Sequence, residues 1–92
     1  MRRLAVALVA AMIVLPAAAE APIQLKKGEG LDKVEGNCAA CHTLAYIPMN
    51  SPYLDAKGWD AEVNKMIKAY GAPIDEADAK AIKEYLSRNY GI

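Results

Sequence analysis

The chain has 92 residues with 11 basic and 11 acidic side chains, one histidine, two cysteines and 54% hydrophobic residues. That length admits one small domain and leaves little room for a separate catalytic module beside a cofactor. The balanced charge, with no Lys/Arg stripe, argues against nucleic acid or an anionic membrane surface as a partner.

Residues 1–19 read as a secretory signal peptide. Met1-Arg2-Arg3 is a positive start, Leu4 to Leu15 is an uninterrupted apolar run, and Pro16-Ala17-Ala18-Ala19 ends in the small residues a signal peptidase accepts. A membrane anchor is the competing reading, but a run from Leu4 to Leu15 rises only about 18 Å as a helix, short of the roughly 30 Å hydrocarbon core. Cleavage after Ala19 leaves residues 20–92 as one domain, exported to the periplasm with no membrane insertion after processing. Arg2 and Arg3 leave with the signal, so nine of the 11 basic side chains face 11 acidic ones. Such a domain buries a small core and is usually stabilised by disulfides, a metal or another cofactor. A bridge between Cys38 and Cys41 would close too small a loop to add much, and phenylalanine is absent. The chain therefore looks like one whose core a large apolar ligand completes.

Along the mature chain, Ala21-Pro22 and the Lys26 to Gly30 stretch form a loose lead-in, because Gly28 and Gly30 discourage regular structure. A first short helix is predicted from Leu31 to Gly36, with Leu31 and Val34 on one face. Tyr46-Ile47-Pro48-Met49-Asn50-Ser51-Pro52 carries two prolines and is expected to be an irregular loop. The next helix is predicted from Gly58-Trp59-Asp60 to Tyr70-Gly71, with Trp59, Val63, Met66, Ile67 and Tyr70 as its buried face and Gly71 as a left-handed cap. A last helix follows Ile74. Asp75 is its N-cap, Glu76 and Asp78 suit the positive end of its dipole, and Arg88 suits the negative end. Ile82, Tyr85, Leu86 and Asn89 line one side, and Gly91 closes it. No segment alternates with period two. The expected fold class is all-α, about three helices and loops wrapped around a ligand.

Cys38-Ala39-Ala40-Cys41-His42 is the C-x-x-C-H sequence that attaches haem c. Two thiols one helical turn apart can reach the two vinyl groups along one porphyrin edge, and the adjacent imidazole then falls beneath the iron. A thioredoxin-like redox pair would need a βαβ setting, which the pattern lacks. Zinc would want four ligands, and two cysteines with one histidine fall short. The expected cofactor is one covalent haem c, held by Cys38 and Cys41 and ligated by His42. No second histidine exists for the other face of the iron. Met49 and Met66 remain once Met1 and Met12 leave with the signal, and a thioether raises a haem's reduction potential, which suits an electron carrier. Trp59 reads first as a core anchor, with its indole N–H able instead to reach a haem propionate. Tyr46, Tyr53 and Tyr70 could each lay an apolar body against the ring.

Ser51-Pro52-Tyr53-Leu54 resembles the segment of class I cytochromes c whose proline carbonyl receives the N–H of the ligating histidine. That resemblance implies that Pro52 orients His42, which puts Met49 on the histidine's side of the ring. It also implies that Met66, eight residues before Ile74 and just ahead of the final helix, is the second axial ligand. Two longer stretches, residues 37–54 and 58–74, are similar to the cytochrome subunit of bacterial sulfite dehydrogenase. Met49-Asn50-Ser51-Pro52 and the Trp59-x-x-Glu62-Val63-x-Lys65-Met66 spacing to Gly71-Ala72-Pro73 carry the likeness, which departs from the family at Ala45, where an acidic residue is more usual. The resemblance implies a periplasmic monohaem cytochrome, not itself an enzyme. It would take electrons singly from a molybdopterin sulfite dehydrogenase catalytic subunit and pass them to a downstream cytochrome or oxidase. A freely diffusing general electron carrier is the rival within the same chemistry, and a haem-based sensor with an open sixth position is the rival outside it.

Overall fold

A computed structural model describes residues 23–92; the expected signal peptide and its cleavage point lie outside the described residues. Four α-helices and one 3-10 turn make up the regular structure, with no strand among the described residues. The all-α expectation holds, with one helix more than the sequence pattern suggested.

Helix α1 spans Leu31–Cys38 and buries Val34. Its entry is at Gly30, where φ is 92°. A side chain there is excluded twice over, because left-handed backbone disfavours any Cβ and an ideal Cβ would stand 2.9 Å from the Ala81 carbonyl oxygen and 3.1 Å from Tyr85 Cβ. The helix runs past its expected end at Gly36. Glycine costs a helix only about 1 kcal/mol, and the Asn37 amide secures the last turn by donating to the Lys33 carbonyl at 2.9 Å.

The expected loop at 46–52 is instead helix α2, Tyr46–Asn50, followed by a 3-10 turn at Ser51–Tyr53. Proline density misled the sequence reading because both prolines sit in first turns. The N–H groups there have no intrahelical acceptor, so Pro48 and Pro52 forfeit nothing. Ile47, 5% exposed, pins α2 to the core. The Asn50 side chain donates back to the Tyr46 carbonyl at 2.7 Å.

Helix α3 spans Ala56–Lys68, beginning two residues before the expected start because Asp55, not a residue beside Trp59, is the N-cap. The Asp55 carboxylate accepts from the Gly58 N–H at 2.8 Å, satisfying one of the orphan donors of the first turn. Trp59 and Val63 are buried and Ile67 packs beside them. Tyr70 departs from the expected buried face and is 76% exposed, since the helix has ended and Gly71, with φ 71°, turns the chain away. The Ala72 N–H closes that turn on the Met66 carbonyl at 2.9 Å.

Helix α4 spans Glu76–Tyr90 with Asp75 as N-cap, its carboxylate accepting from the Asp78 N–H at 2.7 Å as anticipated. It packs across α3 and α1 and buries Ala79, Ile82, Tyr85, Leu86 and Tyr90. Its C-terminal carbonyls, which lack intrahelical donors, gather distant parts of the chain. Tyr90 C=O accepts from Trp59 Nε1 at 3.0 Å and from Ser51 Oγ at 2.8 Å, and Asn89 C=O accepts from Lys26 Nζ at 2.8 Å. The Lys26 backbone is gripped on both sides. Its N–H donates to the Tyr90 hydroxyl at 2.9 Å, and its carbonyl accepts from the Tyr85 hydroxyl. The lead-in is thus a strap on α4, with Leu25 buried beneath it. No described helix is long and apolar enough to cross a membrane.

Candidate functional site

Cys38 is the last residue of α1, and Cys41 and His42 occupy the turn that follows it. Both cysteines are free thiols, Cys38 half-buried and Cys41 exposed. Burial pushes the Cys38 thiol above its ordinary pKa, and the neighbouring Cys41 adds to the effect. A thiol displaced in that direction stays protonated at neutral pH, the opposite of the acidic thiolate that drives disulfide exchange.

His42 Nδ1 lies 3.0 Å from the Thr43 carbonyl oxygen. A carbonyl can only accept, so this bond puts the proton on Nδ1 and leaves the lone pair on Nε2 as the metal-binding position. The ring of Tyr46, the first residue of α2, is tilted 46° against the imidazole with centroids 4.8 Å apart.

A cavity of about 470 Å³ opens between this turn and α3. Cys38, Cys41, His42 and Tyr46 line one side, and Met66 lines the other. A smaller recess of about 60 Å³ adjoins it, sharing Cys38, His42, Tyr46, Glu62 and Met66 and reaching inward to Trp59. The volume falls within the roughly 300–1,000 Å³ usual for small-molecule and cofactor sites. Glu62 and Lys65, joined by an ion pair at 3.1 Å, bring the charge on its walls. Among the described residues no three His, Cys, Asp or Glu side chains converge as a metal-ion site. A larger open groove of about 640 Å³ between α3 and α4 contains neither cysteine nor histidine.

The four residues expected to hold the cofactor and its iron, Cys38, Cys41, His42 and Met66, therefore share one cavity. Met49 does not, being 65% exposed and on the wall of neither space. Trp59 lines the inner recess but spends its N–H on Tyr90, so in this structure it acts as a core anchor. Pro52 is exposed in the 3-10 turn, and the carbonyl that meets His42 is the sequence neighbour Thr43, which a turn brings within reach. Tyr70, though exposed, stands at the cavity mouth, whereas Tyr53 lines none of it. Sequence reasoning missed Glu62 as a wall residue. The signal was present, since Glu62 and Met66 are i, i+4 neighbours on one line of α3.

Two free thiols, one half-buried and one exposed, an imidazole with Nε2 free and a thioether around a mostly apolar space are the donors a covalent haem uses, so the residues present fit that group. The chain matches no model of a known protein family, and no curated protein matches it.

Proposed function

We propose that this chain is an exported monohaem cytochrome c of class I that carries electrons one at a time. What supports the reading is a single observation: the two thiols, the imidazole and one of two available thioethers of the mature chain line a common cavity of about 470 Å³. Cys38 and Cys41 would hold the haem covalently through their sulfurs, both of which line the cavity. His42 would ligate iron through Nε2 and Met66 through its sulfur. Haem, when bound, supplies reversible one-electron chemistry at its iron.

The chain's own part is to orient and to exclude water. Nδ1–H of His42 needs an acceptor to hold the ring in its ligating tautomer. Thr43 C=O fills that role here, and the resemblance offers Pro52 C=O for the haem-bound state. Ile74 and Ala72 close the cavity beyond α3. Trp59, hydrogen-bonded to the Tyr90 carbonyl, ties α3 to the end of α4 and lines the inner recess of the site.

The proposed donor is the catalytic subunit of a molybdenum sulfite dehydrogenase, on the strength of the resemblance of residues 37–54 and 58–74, with a downstream cytochrome or oxidase as acceptor. Exposed Ala39 and Ala40 between the cysteines leave the approach to that edge open, and redox encounters of this kind bury less than about 1,200 Å². The test is stopped-flow reduction of the oxidised periplasmic protein by the purified sulfite dehydrogenase of the same organism with sulfite present. Rapid reduction that Ala40→Glu slows, with an unchanged haem spectrum, supports donor and surface together. Failure of enzyme and sulfite to reduce the haem returns the protein to the class of general electron carriers.

A further inference from the structure

His42 stands in the turn between α1 and α2. Its ring orientation is set by what touches it: the Thr43 carbonyl at Nδ1 and the Tyr46 ring at 4.8 Å. Tyr46 is unusually well fixed for a residue 51% exposed. Its N–H donates at 3.4 Å to the same Thr43 carbonyl that faces His42. Its own carbonyl accepts from Asn50 at 2.7 Å, and the adjacent Ile47 is buried. An aromatic ring left half in solvent contributes little to the core, yet this one lines both the main cavity and its recess. Tyr53, two turns on and 79% exposed, has the same chemistry and lines neither.

From this arrangement we infer that Tyr46 is a positioning residue: its ring limits rotation of the His42 imidazole and so sets the plane and strength of the proximal ligand. The inference rests on the haem reading above. The orientation of an axial ligand is one of the levers by which a protein tunes its haem. The imidazole meets the Thr43 carbonyl at Nδ1 and the tilted Tyr46 ring at its side, and the ring contact does not depend on whether Thr43 or Pro52 accepts from Nδ1. The ring matters here and the hydroxyl does not, because the contact with His42 is ring to ring.

The test uses periplasmic holoprotein carrying Tyr46→Phe, Tyr46→Leu or, as control, Tyr53→Leu. Mass spectrometry reads covalent haem, electron paramagnetic resonance of the oxidised form reads ligand orientation through its g values, and redox titration reads the midpoint potential. Tyr46→Leu should keep its haem but shift both the g values and the potential, while Tyr46→Phe and Tyr53→Leu match the unaltered protein. Unchanged g values and potential in Tyr46→Leu, or a shift in Tyr46→Phe as large as in Tyr46→Leu, would overturn the inference. If Tyr46→Leu does not accumulate, the reduced unaltered holoprotein decides: nuclear Overhauser contacts between the His42 and Tyr46 ring protons are expected, and their absence overturns the inference. An unaltered protein without covalent haem instead sinks the reading on which it rests, a result that the mass spectrum alone distinguishes.

Discussion

Tyr85 ties the strap at Lys26 to α4, and its ionisation offers a sharp test of that clasp. The side chain is fully buried. Its hydroxyl donates to the Lys26 carbonyl. Burial, then neighbouring Tyr90 and the negative Glu35, push its pKa up to about 12. A folded-state pKa above the unfolded value of about 10 means that the native protein holds this proton more tightly than the unfolded chain does. The corresponding stability is complete below pH 10 and is lost as pH rises through 12. At roughly 1 kcal/mol per pH unit, the loss is on the order of 1 kcal/mol by pH 11 and at most roughly 3 kcal/mol once titration is complete. Tyr85→Phe removes both the hydrogen bond and the titration. It should cost about 1 kcal/mol at pH 7, the usual net worth of one such bond, and should be insensitive to this ionisation thereafter. Urea unfolding of the two holoproteins followed by circular dichroism from pH 7 to 11 should therefore show curves that start about 1 kcal/mol apart and meet or cross near pH 11. A gap that stays constant across that range would refute the claim that Tyr85 is held as a buried neutral donor.

Other perturbations probe the turn, the ligands and the core. Gly30→Ala should destabilise by about 2–4 kcal/mol, from left-handed strain plus displacement of the Ala81 carbonyl, whereas Gly36→Ala, with open space around its Cβ, should stabilise by about 0.5–1 kcal/mol; urea midpoints read both. The near-infrared sulfur-to-iron charge-transfer band of the oxidised protein should vanish in Met66→Ala and persist in Met49→Ala, and the reverse pattern would move the ligand to α2. Cys38→Ala/Cys41→Ala protein made without haem should be largely unfolded by circular dichroism, because a small core must offset about 1.5 kcal/mol of chain entropy per ordered residue. A cooperative thermal transition in that variant would show the core to be self-sufficient.

What the sequence by itself determined is local chemistry and periodicity. Cys38, Cys41 and His42 stand out as a C-x-x-C-H sequence through spacing alone, Asp75 marks a helix start because its carboxylate can accept a first-turn N–H, Gly71 marks a helix end because glycine takes a positive φ, and the apolar period of α3 and α4 is legible because it repeats over several turns. The class was legible for the same reason. The tertiary structure decided everything that depends on a partner distant in the chain. Proline density at 46–52 read as a loop until the position of each proline within a first turn, and the burial of Ile47, made α2 permissible. Trp59 could have offered its N–H to a ligand or to the protein, and the uncapped carbonyl of Tyr90, 31 residues away, claimed it. Periodicity and composition alone do not separate Met66 from Met49; position relative to Pro52 and the final helix, read through the resemblance, singled out Met66. The packing of α3 across from the motif turn brings Met66 to the cavity wall and leaves Met49 in solvent, because burial belongs to the surfaces that meet and not to the residue.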